Sequence, residues 1–289
     1  MKLVLFLMLL LPVTALAQEP DSISALFGMR EAERNFAKAS IMIGRNAAFA
    51  EYFAGESAIF TDKWITNGKQ FSKERKPSPL ALKWEPEFMD IADSRDFGIS
   101  TGPWEVQEYR PNTTPLVTGY FLTVWKKQSD GVWKVILDGG STTPVPEGPK
   151  HLFRFPSGAD KPISSPPVMN VEQLKKELLD MDDKFQTQWE ISHSSFTSFL
   201  APDARIQFSG HLPTTNIDTI RTWTNKLDKS ILWQSSGAGA ASSGDMGFTY
   251  GLIIQLGKPE KTSEHYVRIW RKRPGTDWKI MVEMVNVNL

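Results

Sequence analysis

Residues 123–138, TVWKKQSDGVWKVILD, have a counterpart later in the chain, residues 268–283, RIWRKRPGTDWKIMVE. In each segment two tryptophans stand eight residues apart, and the basic stretch between them contains turn residues, Ser-Asp-Gly at 129–131 and Pro-Gly-Thr at 274–276. Valine, isoleucine and tryptophan flank each turn, a composition typical of two antiparallel strands joined by a hairpin. The sequence therefore predicts two similar hairpins.

The correspondence between the two halves of the chain extends beyond the hairpins. Adding 149 to Trp84 gives Trp233, and the same offset aligns residues 96–102, DFGISTG, with residues 245–251, DMGFTYG. At the hairpin tryptophans the offset is 145. Matching Trp, Gly and Asp over so long a stretch indicate a tandem duplication. The glycines of the two D-x-G segments predict a bulged or sharply curved strand, because glycine weakens a flat one.

Each half begins with a predicted amphipathic helix. In the first, apolar residues recur at spacings of three and four, and charged residues fall on the expected solvent side. The apolar positions are Met29, Ala32, Phe36, Ala39 and Ile43, and the charged ones are Arg30, Glu31, Glu33, Arg34 and Lys38. In the second, Asn170 and Gln173 form a capping box. Helices followed by strands in both halves predict an α+β fold, with the helices on one face of a curved antiparallel sheet.

Three features together resemble the nuclear transport factor 2-like superfamily: a phenylalanine-rich second helical element, the D-x-G-[IF]-[ST]-x-G strand and the W-x7-W-[KR]-[IV] hairpin. The branch that the chain resembles is that of exported members of unknown function, near the SnoaL-like polyketide cyclases. The resemblance covers nearly all of both halves, and it implies tandem cone-shaped domains whose mouths admit a small apolar ligand. Members include isomerases, dehydratases, cyclases, hydrolases and binding proteins, and a shared fold does not transfer chemistry.

Composition divides the chain into four segments. Residues 1–17 combine Lys2, an apolar run and an Ala-Leu-Ala cleavage site, as in a signal peptide; an uncleaved anchor is the alternative, although the run is short for a membrane span. Residues 18–140 and 171–289 are the two predicted cone-like domains. Residues 141–170 contain seven prolines and predict a semi-stiff linker. We expect an exported protein, periplasmic or secreted, without stable membrane insertion after cleavage.

Charge and composition exclude several kinds of partner and site. With 33 basic and 33 acidic side chains, the chain has no electrostatic reason to bind nucleic acid. It has no cysteine, which excludes disulfides, thiolate catalysis and cysteine-bound metals. Its four histidines lack metal-binding spacing and no dinucleotide or phosphate-binding motif occurs, so neither a metal nor a cofactor is predicted.

Apolar residues occupy both faces of the first hairpin. One face is assigned Phe121, Val135 and Leu137, and the other Leu122, Val124 and Ile136. A sheet that is apolar on both sides must be covered on both. The two halves are therefore predicted to pair through their sheet faces, or the chain to form a homodimer through them.

Candidate catalytic residues follow from the pairing expected in the hairpins. If the two tryptophans lie opposite each other, Tyr120 faces Asp138, and the same register places His265 opposite Glu283. Opposed side chains approach within about 5 Å at Cβ, so each half would pair a carboxylate with a proton carrier suited to acid–base catalysis. The structural alternative is that Asp138 caps a strand end and Glu283 lies on a solvated face.

Four aromatic side chains are expected to contact a ligand inside the cones: Trp84, Trp233, Phe60 and Phe208. Packing in the core is the alternative explanation for the duplicated tryptophan. Three functions stay open on this evidence. The first is binding of a small apolar or amphipathic molecule, the second is an isomerase, dehydratase or hydrolase that uses the acid–base pair, and the third is a structural or assembly role.

Overall fold

The structure, a computed structural model, describes residues 22–60, 65–109, 114–146, 168–228, 230–257 and 264–287. The predicted signal peptide and most of the predicted linker lie outside these residues. The described chain contains a first unit within residues 22–146 and a second unit within residues 168–287, and each begins with helices and ends with an antiparallel hairpin. None of the described helices is both long and apolar enough to cross a membrane.

In its described residues the first unit contains three helices and one sheet. The helices are α1 (Ser22–Met42), α2 (Arg45–Tyr52) and α3 (Gly68–Glu74). The strands are β1 (Phe53–Phe60), β2 (Ile65–Asn67), β3 (Leu80–Trp84), β4 (Phe88–Ile91), β5 (Phe97–Glu108), β6 (Val117–Lys127) and β7 (Trp133–Thr142). Their order is β2-β1-β7-β6-β5-β3, and β4 also pairs with β5.

The second unit repeats this arrangement with fewer described strands. Its helices are α4 (Val171–Ile191) and α5 (Ile217–Thr224), with a 3-10 helix at His193–Phe199 between them. The strands are β8 (Leu200–Phe208), β9 (Ile231–Ala240), β10 (Met246–Gln255), β11 (His265–Arg271) and β12 (Lys279–Asn286), in the order β8-β12-β11-β10-β9. Helix α4 begins and ends 149 residues after α1. The predicted α+β fold, with helices before an antiparallel hairpin in each half, is confirmed.

The register of the first hairpin differs from the predicted one. Trp125 does not lie opposite Trp133, and the pairing of β6 with β7 shifts at Trp125, as it does at a β-bulge. Beyond the shift, Thr123 faces Asp138. Tyr120 faces Ser141, so the predicted pair of Tyr120 with Asp138 is wrong. The main reason is that Trp125 faces Val135, two residues beyond Trp133, and the bulge then moves the partners by one more residue.

The second hairpin contains an equivalent irregularity. The pairing of β11 with β12 shifts just before Trp270, and Arg268 faces Glu283. His265 pairs with Asn286 instead. The predicted pair of His265 with Glu283 is wrong for the same reason as in the first hairpin.

Within the described ranges, three clusters of buried side chains stabilise the molecule. One lies between the helices and the sheet of the first unit and includes Phe36. The second occupies the equivalent place in the second unit and includes Phe185. The third contains side chains of both sheets, among them Ile99, Leu122, Val124, Val267, Ile269 and Met284. The two sheets therefore pack against each other through the faces that the helices leave uncovered.

Glycines at the equivalent D-x-G positions allow each long helix to approach its sheet. A Cβ atom on Gly98 would lie 2.7 Å from Sδ of Met29 in α1, and one on Gly247 would overlap Cδ1 of Leu178 in α4. The predicted irregularity of these strands is present in the second sheet, where the pairing of β9 with β10 shifts beside Gly251. A Cβ atom at Gly98 or Gly247 would also meet a backbone carbonyl of a neighbouring strand, that of Asp90 at 2.6 Å or that of Gly239 at 2.7 Å, so both positions require glycine.

Candidate functional site

A cavity of about 330 Å³ lies between the helices and the sheet of the first unit. Most of its walls are aromatic or aliphatic. The lining residues on which the chemistry depends are Phe36, Trp84, Phe121, Thr123, Asp138, Arg45 and Arg75. Phe121 and Thr123 belong to β6 and Asp138 to β7. The central hairpin thus supplies the wall that carries the carboxylate.

Asp138 is the acidic side chain that lines this cavity. Its Oδ1 accepts a hydrogen bond of 2.7 Å from the hydroxyl of Thr123, its partner across the hairpin. Burial raises the pKa of Asp138 to about 7, and the nearby charge of Glu33 adds to the increase, while the Thr123 hydrogen bond opposes it. Near neutral pH the carboxyl therefore exchanges between its charged and neutral forms.

Glu33 of α1 lies behind the cavity wall, fully buried. Its carboxylate accepts hydrogen bonds from the indole Nε1 of Trp84 at 2.6 Å, from Nε1 of Trp125 at 2.8 Å and from the hydroxyl of Ser100. Burial raises the pKa of Glu33 despite these donors. The prediction that Glu33 faces solvent was wrong, because the apolar spacing of the helix says nothing about indole and hydroxyl donors from distant strands.

Two arginines give the cavity a positive side. The guanidinium of Arg75 is exposed and lies 5.5 Å from the ring centre of Phe71. Arg45 is half-buried, and burial together with the charge of Arg75 lowers its pKa. Because Arg75 is exposed while Asp138 and Arg45 are half-buried, the charge of Arg75 lies nearer the solvent than the carboxylate does.

The second unit has an arginine where the first has Thr123. Nη1 of Arg268 lies 2.6 Å from Oδ1 of Asp182, and its Nε lies 2.8 Å from Oε1 of Glu283; all three side chains are buried. Tyr266 donates a further hydrogen bond to Asp182. Burial raises the pKa of Glu283 to about 7, and the charge of Asp182 adds to this, while Arg268 opposes it.

Aromatic rings also surround the Arg268 guanidinium. Its Cζ lies 3.6 Å from the ring centre of Phe185, 4.2 Å from that of Tyr266 and 4.7 Å from that of Trp233. These contacts are close enough for cation–π attraction. The interior of the second unit at this place is thus occupied by the protein's own cation.

The residues around Arg268 are the equivalents of residues in and behind the cavity of the first unit. With the offset of 149, or 145 in the hairpins, the matched pairs are Glu33 with Asp182, Phe36 with Phe185, Trp84 with Trp233, Phe121 with Tyr266, Thr123 with Arg268, and Asp138 with Glu283. The two units share one arrangement of two carboxylates and three rings. Only the second contains a guanidinium within it.

Two predicted catalytic residues lie away from the cavity. The hydroxyl of Tyr120 donates a hydrogen bond of 3.1 Å to Oε2 of Glu87, which also pairs with Arg205 of the second unit at 3.4 Å. His265 stacks on Phe60 of the first unit, with ring centres 4.1 Å apart. Both residues therefore take part in contacts between the units, and the structure does not bring either one to its predicted carboxylate.

The four residues predicted to contact a ligand lie in different environments. Trp84 and Phe60 line the cavity of the first unit. Trp233 covers Arg268, and Phe208 is buried in the core of the second unit, where its ring packs against Trp223. Among the residues that the structure describes, no group of three His, Cys, Asp or Glu side chains could hold a metal ion.

Comparison with known proteins bears on the fold. No protein-family model and no curated protein matches the chain. A nuclear transport factor 2-like superfamily protein from Salmonella enterica is similar in structure, with 16% identity over 44% of this chain and 96% of that chain and a TM-score of 0.34.

Two other similar structures have provisional enzyme names. One, named as a ketosteroid isomerase from Shewanella frigidimarina, is 19% identical over 38% of this chain and 94% of that chain, with a TM-score of 0.30. The other, named as a scytalone dehydratase from Novosphingobium aromaticivorans, is 11% identical over 47% of this chain and 95% of that chain, with a TM-score of 0.34. All three structures are less than 20% identical to this chain, and what their names say is not transferred to it.

Proposed function

We propose that the first unit binds a small amphipathic organic molecule in its cavity. The observation that carries the proposal is the cavity itself, of about 330 Å³, whose lining combines aromatic rings with one carboxylate and two arginines. Ligand sites are typically apolar clefts of about 300–1,000 Å³ with a few polar groups that orient the ligand. Phe36, Trp84 and Phe121 would hold the apolar body of the molecule.

The second unit would support the first rather than bind a molecule at the equivalent place. Arg268 already occupies that place, and its two ion pairs and its three aromatic contacts are buried. The paired sheets would then hold the hairpin of the first unit, and with it Asp138, in a fixed position.

A filled-cavity variant tests the binding proposal. Leu82 lines the cavity and is half-buried, so Leu82→Trp should occupy part of the volume. Ligand-observed NMR with benzylamine, benzyl alcohol and benzoate should show binding to the natural protein and weaker binding to the variant. Leu212→Trp, at an exposed position in the second unit, is the matched control and should bind as the natural protein does. The proposal fails if none of the three compounds binds, or if both variants behave alike.

Proton transfer by Asp138 is a second candidate function, favoured by its pKa of about 7 next to aromatic walls. A generic probe is 5-nitrobenzisoxazole: a carboxylate removes its ring C–H proton, the N–O bond breaks, and a coloured cyanophenolate forms. The rate should rise with pH through about 7 and be lost in Asp138→Asn. Asp277→Asn, at an exposed turn, should leave it unchanged. A rate that survives Asp138→Asn would exclude this candidate.

Export is also part of the proposal, supported by Lys2, the apolar run and the Ala-Leu-Ala site of residues 1–17. Protein recovered from a periplasmic or culture fraction should begin at Gln18. Recovery of the chain with residues 1–17 still attached, in a membrane fraction, would contradict cleavage and export.

A further inference from the structure

We infer that the inner part of the first-unit cavity binds a cationic nitrogen group, an ammonium or a guanidinium, of the small molecule. This inference rests on the proposed binding function and names the chemistry of its ligand. The chain supplies the evidence, because the same arrangement in the second unit holds a guanidinium.

In the second unit the arrangement stabilises a cation in two ways. Asp182 and Glu283 each accept an N–H of Arg268, and the faces of Phe185, Tyr266 and Trp233 lie over its charged carbon. The same combination of carboxylate and aromatic faces recognises organic cations in ligand sites, because both contacts strengthen when water is excluded. The second unit therefore shows, within the same chain, that this arrangement of carboxylates and rings accommodates a guanidinium.

In the part of the chain that is described, the first unit has carboxylates and aromatic rings equivalent to those around Arg268, but it has no guanidinium among them. Thr123 stands at the position of Arg268, and its short side chain leaves the volume beside Asp138 to the cavity. Glu33, the equivalent of Asp182, accepts hydrogen bonds from two indoles, whereas the described partner of Asp138 is Thr123. Asp138 thus has the capacity to accept a hydrogen bond from a ligand, and Phe36, Trp84 and Phe121 provide the aromatic surface.

The charges around the cavity also suggest the orientation of the ligand. The groups that face Asp138 are Glu33 from α1 and Thr123 from β6, while Arg45 of α2 and the exposed Arg75 also line the cavity. A cationic group is attracted to Asp138 and repelled by the arginines, so in the bound molecule it would lie beside Asp138. An acidic group at the other end of the same molecule would face Arg45 and Arg75.

Matched ligands that differ in charge test the inference. Benzylamine, benzyl alcohol and benzoate share one ring, and calorimetric titration at pH 8 keeps the amine protonated and Asp138 largely ionised. Benzylamine should bind at least about tenfold more tightly than benzyl alcohol, a difference of about 1.4 kcal/mol. The advantage should shrink below about pH 6 as Asp138 takes up a proton. The advantage of benzylamine should disappear in Asp138→Asn, which removes the carboxylate. It should also disappear in Thr123→Arg, because the new arginine would itself occupy the place of the ligand's cationic group.

The outcomes separate the two proposals. If benzyl alcohol or benzoate binds as tightly as benzylamine, the cavity binds small molecules but the inference about charge is wrong. The same conclusion follows if the amine keeps its advantage in Asp138→Asn, whose folding is checked by circular dichroism. If none of the three compounds binds the natural protein, the proposed function itself is wrong.

Discussion

Thr123 and Arg268 stand at equivalent positions of the two central hairpins, and each faces a carboxylate of the neighbouring strand, Asp138 and Glu283 respectively. Where the residue is threonine, a cavity lies beside the carboxylate. Where it is arginine, a buried ion cluster fills the interior. One substitution between two related units thus accounts for the difference between an open cavity and a closed core.

Arg268→Thr is expected to destabilise the protein strongly. It leaves Asp182 and Glu283 buried without their cation, and breaking a buried ion pair by removing one partner costs about 3–5 kcal/mol. The measurement is the free energy of unfolding in denaturant. Arg273→Thr is the matched control, because its pair with Asp203 is about half exposed and worth at most about 1 kcal/mol. Equal losses in the two variants would contradict the role given to the buried cluster.

Glu33→Ala should also reduce stability, by about 1–3 kcal/mol, because the indole N–H of Trp84 loses its acceptor inside the protein and that of Trp125 keeps only Ser100. Equilibrium unfolding followed by tryptophan fluorescence measures the change. Glu31→Ala is its control, since Glu31 is exposed and lies 3.9 Å from Arg34. An effect of Glu33→Ala no larger than that of the control would show that Glu33 is not buried as described.

Asp138 should make stability depend on pH. A carboxyl whose pKa is higher in the folded than in the unfolded protein binds more protons when folded, so stability falls as pH rises between the two values. For Asp138 this window runs from its ordinary value of 3.8 to about 7. Thermal unfolding of the natural protein should therefore lose more stability over this range than that of Asp138→Asn. Glu283, in the second unit, is common to both proteins and cancels in the difference. Parallel pH profiles would contradict the raised pKa.

Gly98→Ala is expected to cost about 1–3 kcal/mol through overpacking, because its Cβ would meet Met29 of α1 and the backbone of Asp90. Gly55→Ala is the matched control: nothing lies within 4 Å of its added Cβ, so the substitution should be close to neutral. Both are compared by melting temperature. A neutral Gly98→Ala would mean that the helix does not lie as close to the sheet as the structure shows.

Much of the architecture follows from residues that the sequence displays directly. The spacing of the hairpin tryptophans predicts β6–β7 and β11–β12, and the offset of 149 predicts that α4 repeats α1. The register could not be predicted, because the two tryptophans of each hairpin do not lie opposite each other and the extra residue of a bulge leaves no mark in the sequence. The catalytic pairs drawn across the hairpins failed for these two reasons. A usable signal for the buried acids did exist: Glu33 and Asp182 are acidic at equivalent helix positions.

We propose that both units share one cation-holding arrangement, left open in the first by Thr123 and occupied in the second by Arg268. A crystal structure of Thr123→Arg tests this. The new guanidinium should lie within the former cavity, pair with Asp138 and Glu33, and rest against Phe36 and Trp84. A side chain that points away from these groups, with the cavity still open, would show that the two units do not share the arrangement.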